Sequence, residues 1–178
     1  VRSGIAKCDG RASFTETDHG KGGLVMAQGE LIPFNVGVLA ALNGTIDLEA
    51  DTFKLGLVTN SITPAASTAA PCWGAGGSTN MLAYEVTPGG NYSTGGPTIG
   101  NTAMTEAGGT VKWDGDDITI AQDPANPATC RWGIVYSDTA AAKNAFGYID
   151  LGGITDLSAG AFTYTVSASG LWYLNVAA

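Results

Sequence analysis

The chain has 178 residues, enough for one domain with a core of its own, and 26 of them are glycine while only 13% are charged. Acidic residues outnumber basic ones 16 to 8, for a net charge of −8, which argues against a nucleic-acid partner because phosphate binding rests on Lys and Arg. A surface poor in charge must be built from hydroxyls, amides and small side chains, and such a surface is weakly protected against association.

Residues 1–27 form the first region, expected to be an extended amino-terminal arm. Val1 to Gly23 is polar, glycine-rich and aperiodic, with Ile5 and Phe14 as its only large apolar side chains. Two readings stand for it: a solvated tail, or a segment ordered against a neighbouring subunit with Ile5 and Phe14 as anchors. It has no apolar core of signal-peptide type, so secretion by that route is not expected. No stretch of the sequence has the ~18 to 20 continuous apolar residues of a membrane helix, and no membrane partner is expected.

Residues 28–178 are expected to make a β-sandwich domain carrying one short helix over about 34–43. Pro33 suits a first helical turn, Phe34, Val38, Leu39 and Leu42 recur at three-four spacing, and Asn43-Gly44 supplies the stop. Ile46 and Leu48, then Phe53, Leu55 and Leu57, alternate with polar residues or glycine, the period-two pattern of a strand with one buried face. Asn60 to Asn80 is an aperiodic excursion with Cys72-Trp73 at its middle. Trp73 is there either a plug over the end of the core or a contact residue for a partner.

Eight further segments have strand length: Met81 to Thr87, Pro97 to Thr105, Thr110 to Trp113, Ile118 to Gln122, Arg131 to Ser137, Phe146 to Leu151, Ala161 to Ser167 and Leu171 to Val176. Turn-forming Gly, Pro, Asn and Asp separate them. Many short strands at this spacing predict an all-β fold, an antiparallel and jelly-roll-like sandwich.

No constellation of residues announces chemistry. Asp114-Gly115-Asp116-Asp117 invites calcium, but it matches no EF-hand loop and reads better as a tight hairpin turn. His19, the single histidine, lies in the arm, away from any rigid setting for a nucleophile triad. Glu85, Glu106, Asp138 and Asp150 are the carboxylates that a glycosidase would have to pair, and nothing in the sequence pairs them. Cys8, Cys72 and Cys130 have no metal-ligand spacing and are expected to be free thiols, although one disulfide among them stays open. No catalytic residue, metal or cofactor is expected.

The run from Leu39 to Thr59, with Leu42-Asn43-Gly44, Ile46-Asp47-Leu48 and Lys54-Leu55-Gly56-Leu57-Val58-Thr59, resembles the opening of a family of small virion proteins of tailed bacteriophages. The likeness continues in order through Tyr84-Glu85-Val86, Tyr92-Ser93-Thr94-Gly95-Gly96, Trp113 with Asp116-Asp117-Ile118-Thr119, Arg131 to Thr139, Gly147 to Gly152, and a final strand pair around Phe162 and Leu171. It covers Phe34 to Val176. The resemblance implies a non-enzymatic β-sandwich protein of the head decoration or cement type, a homo-oligomer bound to the major capsid protein on the outer surface of the capsid and made in the host cytoplasm. The arm and the Cys72-Trp73 loop depart from the family's pattern, which makes Ile5, Phe14 and Trp73 the candidate partner contacts. The alternative is a tail or fibre-associated module that binds host-surface glycans through exposed loop aromatics around Trp73. A virion glycosidase is the third reading.

Overall fold

A computed structural model describes residues 28–176. The arm, with Ile5, Cys8, Phe14 and His19, lies outside the described residues. The described residues are all-β with one α-helix, and their larger strand pairs are all antiparallel.

The centre is a four-stranded sheet ordered β1-β9-β8-β2, from β1 (Ile32–Pro33), β2 (Phe53–Val58), β8 (Cys130–Ser137) and β9 (Ala145–Thr155). Its register sets Leu55 opposite Val135, Ile134 opposite Tyr148, and Ile32 opposite Tyr148 on the other side. Both faces of this sheet are covered. Phe53, Leu55 and Leu57 of β2 and Val135 of β8 point into the larger core, whereas Val58, Ile134 and Tyr136 enter a second cluster with Phe34, Trp73 and Met81. Double-sided burial explains why five of the six residues of β2 are buried, as strands covered on both faces require.

The larger core is closed by two smaller sheets. One is ordered β11-β6-β5, from β5 (Ala103–Ala107), β6 (Thr110–Asp114) and β11 (Trp172–Asn175); the other pairs β7 (Ile118–Ile120) with β10 (Phe162–Tyr164). Trp113 of β6 lies at the junction, its ring 4.7 Å from Phe53 and 5.1 Å from Phe146, both in edge-on geometry. No single continuous sheet faces the central one; two separate pieces share its core. The β5-β6 hairpin turns at Gly108-Gly109, where φ values of 60° and 81° supply the left-handed pair a two-residue turn needs.

The helix α1 spans Asn35–Leu42, and Gly44 follows its Asn43 cap at φ 76°. Pro33 ends β1 and stays out of the helix, and Phe34 is the N-cap. The buried side of the helix differs from the expected one. Gly37 and Ala40 are buried, and a Cβ on Gly37 would overlap the backbone carbonyl of Phe146, so the helix lies flat against β9 through its smallest residues. Leu39 and Leu42, expected inside, are 60% and 75% exposed. Contact distance decided the orientation: only a glycine-alanine face allows helix backbone to meet strand backbone this closely.

Three other expectations are corrected. Ile46 and Leu48 are buried, but from a turn, in which the exposed Asp47 carboxylate accepts the N–H groups of Glu49 and Ala50 at 3.0 Å. Met81–Tyr84 is a turn of 3₁₀-helix that delivers Met81 to the second cluster, so the segment from Met81 is not a strand. Asp114 to Asp117 is not a hairpin turn. The strands on either side of it belong to different sheets, and the segment is a crossover held by Asp116 accepting Asn101 Nδ2 at 2.8 Å and Asp117 accepting Val166 N at 2.8 Å.

Candidate functional site

The excursion from Asn60 to Asn80 is tied down at its middle. Pro71–Cys72 (β3) and Thr79–Asn80 (β4) form a short parallel pair, Cys72 bridges to Asn144, and Trp73 N donates to Lys143 O at 2.8 Å. These bonds drive the indole of Trp73 inward. It is 4% exposed, stacked 4.8 Å from the ring of Tyr136 with 5° between the planes, over Gly56, where any Cβ would strike the indole. Of the two roles open to Trp73, the structure places it in the plug. Gly56 in the middle of β2 is the sequence signal for that close approach.

A cavity of ≈ 440 Å³ beside this plug is lined by Lys54, Thr94, Tyr136, Asp138 and Lys143, among others. Its charges are spent on one another. Asp138 accepts Lys143 Nζ at 2.6 Å and meets Lys54 Nζ at 3.0 Å, and these bonds, that of Lys143 foremost, hold its carboxyl below the usual range.

The other carboxylates that hydrolysis would need are likewise engaged. Glu85 Oε1 accepts Gly95 N at 2.6 Å and the hydroxyl of Tyr92 at 3.0 Å. Glu106 accepts Gly109 N at 3.1 Å in the β5-β6 turn. Asp150 is paired with both terminal nitrogens of Arg131, whose guanidinium stacks 3.9 Å above Trp132 and lowers the Asp150 pKa. Among the described residues no three potential metal ligands cluster.

The Glu85 bonds form part of a buried polar knot. The Tyr92 hydroxyl also accepts Leu57 N at 2.9 Å, and Tyr136 donates to Gly95 O at 2.9 Å. Burial pushes the Tyr92 and Tyr136 phenols well above their ordinary pKa, so both stay neutral. The separate sequence segments Tyr84-Glu85-Val86, Tyr92 to Gly96 and Leu55 to Val58 therefore meet as one structural unit. Tyr92→Phe leaves the buried N–H of Leu57 without an acceptor; an expected loss of about 1–3 kcal/mol should appear as a lower urea midpoint with an unchanged slope.

Cys72 and Cys130 are free and buried. Burial raises both thiols, Cys130 to about 12, so neither is a nucleophile in the folded chain. A short alkylation pulse in mildly alkaline buffer should leave the Cys72 and Cys130 peptides unmodified by mass spectrometry until denaturant is added; labelling of either in the native protein would contradict this burial.

Two surfaces remain unspent. The outward side of α1 exposes Val36, Leu39 and Leu42, with Ile32 of β1 nearby in the chain at 41% exposure. A cleft of ≈ 630 Å³ runs between residues 28–31, Ala161 to Thr165 and Gly170 to Tyr173. Sequence reasoning missed both: the helix because its apolar residues were assigned to the core, the cleft because distant segments form it. No helix of the described residues is long and apolar enough to cross a membrane. No family model, curated protein or solved structure matches the chain.

Proposed function

We propose that this chain is a structural virion protein, a capsid decoration or cement protein that binds the major capsid protein lattice and stabilises the head without catalysis. The observation that carries this reading is the outward face of α1, where Leu39 and Leu42 stand 60% and 75% exposed on a chain with few surface charges. Solvent-exposed apolar residues gathered on one element mark a surface that another protein covers. The ordered resemblance from Phe34 to Val176 supports the capsid subunit as that other protein. A cement protein acts by mass action, favouring the assembled shell because it binds the lattice and not free subunits. An arm reaching from residues 1–27, with Ile5 and Phe14 as its apolar anchors, adds contact area without enlarging the domain.

The rival reading, a tail or fibre module that grips host glycans, asked for Trp73 exposed beside a shallow groove. With that indole stacked on Tyr136 beneath the surface, the rival loses the residue on which it stood. A glycosidase is disfavoured because Glu85, Glu106, Asp138 and Asp150 are each already engaged by a backbone amide, a lysine or an arginine.

Electron microscopy of intact virions with a labelled antibody against the chain tests the proposal directly. Label spread over the heads is the expected result, and label confined to tails would reject it.

A further inference from the structure

The segment that holds Trp73 is built against local preference. Among the described residues three that are not glycine sit at positive φ, and two of them, Ala70 at 35° and Lys143 at 47°, flank this plug. A side chain in that region crowds its own backbone. Ala70 carries a second conflict, because it precedes Pro71, and a residue before proline favours extended backbone with negative φ. The same two residues supply carbonyls that hold the plug: Trp73 N donates to Lys143 O at 2.8 Å and Thr79 N to Ala70 O at 3.3 Å.

Cys72 sits between Asn80, its partner in the β3-β4 pair, and Asn144, its partner across the bridge. The Oδ1 atoms of both asparagines are buried, and no donor among the described residues reaches either. An acceptor in that position is better satisfied by water once the segment lifts. Holding the segment down are strands of two residues each and the stacked indole, whose burial is the main closing force. Gly74, at φ 135° with nothing within 4 Å of an added Cβ, gives the loop a free joint next to the indole.

Strain and unmet polar groups gathered in one short unit, beside sheets that are regularly paired, mark a part that opens separately from the rest. We infer that Ala70 to Asn80 form a strained latch, closed by the Trp73 indole and able to lift as a unit while the central sheet stays folded. Lifting brings the indole and the Cys72 thiol to the surface. It also clears the face of Tyr136 above Gly56, which widens the cavity beside Lys54 and Asp138 into a slot shaped for a flat ring. The latch does not depend on the virion assignment, because every group in it belongs to this chain.

Slow alkylation of the full chain, over hours instead of a short pulse and read by peptide mass spectrometry, tests it. Cys72 should label through latch opening, at a rate that hardly changes with urea below the unfolding transition, since a small unit exposes little surface. Cys130, at the start of β8 in the larger core, sets the comparison and should label with the full urea slope of global unfolding. Ala70→Gly, which removes the side chain at φ 35°, should slow Cys72 labelling about fivefold. Lys143→Gly should slow it similarly relative to Lys143→Ala, a control in which the ion pair with Asp138 is equally lost. Labelling of Cys72 with the global urea slope overturns the inference. A Cys72 rate that neither glycine lowers overturns it too.

Discussion

Trp113→Ala should lower stability by about 3–5 kcal/mol, the range for deleting a buried aromatic side chain. Trp113 is fully buried between Phe53 of the central sheet and Phe146 of β9, and β6 meets the central sheet through it. Its Nε1 donates to Leu48 O at 2.9 Å, so the substitution also leaves the carbonyl of the turn after α1 without its donor. Two costs therefore add, a cavity and an unmade hydrogen bond, and surrounding aromatic rings cannot easily collapse into the space. Trp113→Phe should recover part of the packing and none of the hydrogen bond. Urea denaturation of the three proteins checks this: midpoints should fall in the order wild type, Phe, Ala. An alanine variant within about 1 kcal/mol of wild type would mean that the small sheets do not depend on this ring.

Gly96→Ala is the second large effect, at about 3 kcal/mol or more. Gly96 has φ 78°, and a Cβ there would overlap the Leu55 carbonyl and approach Gly56. Relief would require moving the segment that follows, in which Leu55 N donates to Pro97 O at 3.0 Å and Ile99 N to Phe53 O at 2.9 Å. That segment covers the outer edge of β2. Gly44→Ala is the matched control: its φ is 76°, yet nothing lies within 4 Å of the added methyl, so only the conformational cost of about 1 kcal/mol remains. A thermal-unfolding comparison in which the two alanine variants fall equally would show that crowding at Leu55 is not what constrains Gly96.

These two positions show how differently parts of the fold are written into the chain. The strands β8 and β11 lie close to where segment length and turn residues put them, because turn chemistry is a local property; β9 runs on past the expected Leu151 to Thr155. Helix α1 was legible for the same reason: proline before it, Asn-Gly after it and apolar residues between. Its buried face was not. Hydrophobic spacing assigns Leu39 and Leu42 to the core, but the helix meets β9 through Gly37 and Ala40, and that choice depends on a strand more than a hundred residues away in sequence. The segment Asp114 to Asp117 failed as a hairpin on the same grounds. Its residues suit a turn, and nothing local says that β6 and β7 pair with β11 and β10 instead of with each other.

The candidate surfaces divide in the same way. Trp73 was open between plug and contact because the excursion around it has no period; the bonds of Trp73 to Lys143 and Cys72 to Asn144 sent the indole inward. The carboxylates Glu85, Asp138 and Asp150 looked unpaired in sequence, and each found a nearby lysine, arginine or backbone amide only once the sheets closed.

By itself, then, the sequence determined an all-β chain with one short helix, low surface charge and glycines at its tight turns. These follow from side-chain periodicity and backbone freedom, which act over a few residues. The tertiary structure alone decided which helix face is spare, where Trp73 goes and that a cleft opens beside Gln28. Those outcomes depend on steric fit between distant segments: which backbones approach closely enough to need glycine, and which apolar side chains are left outside when they do.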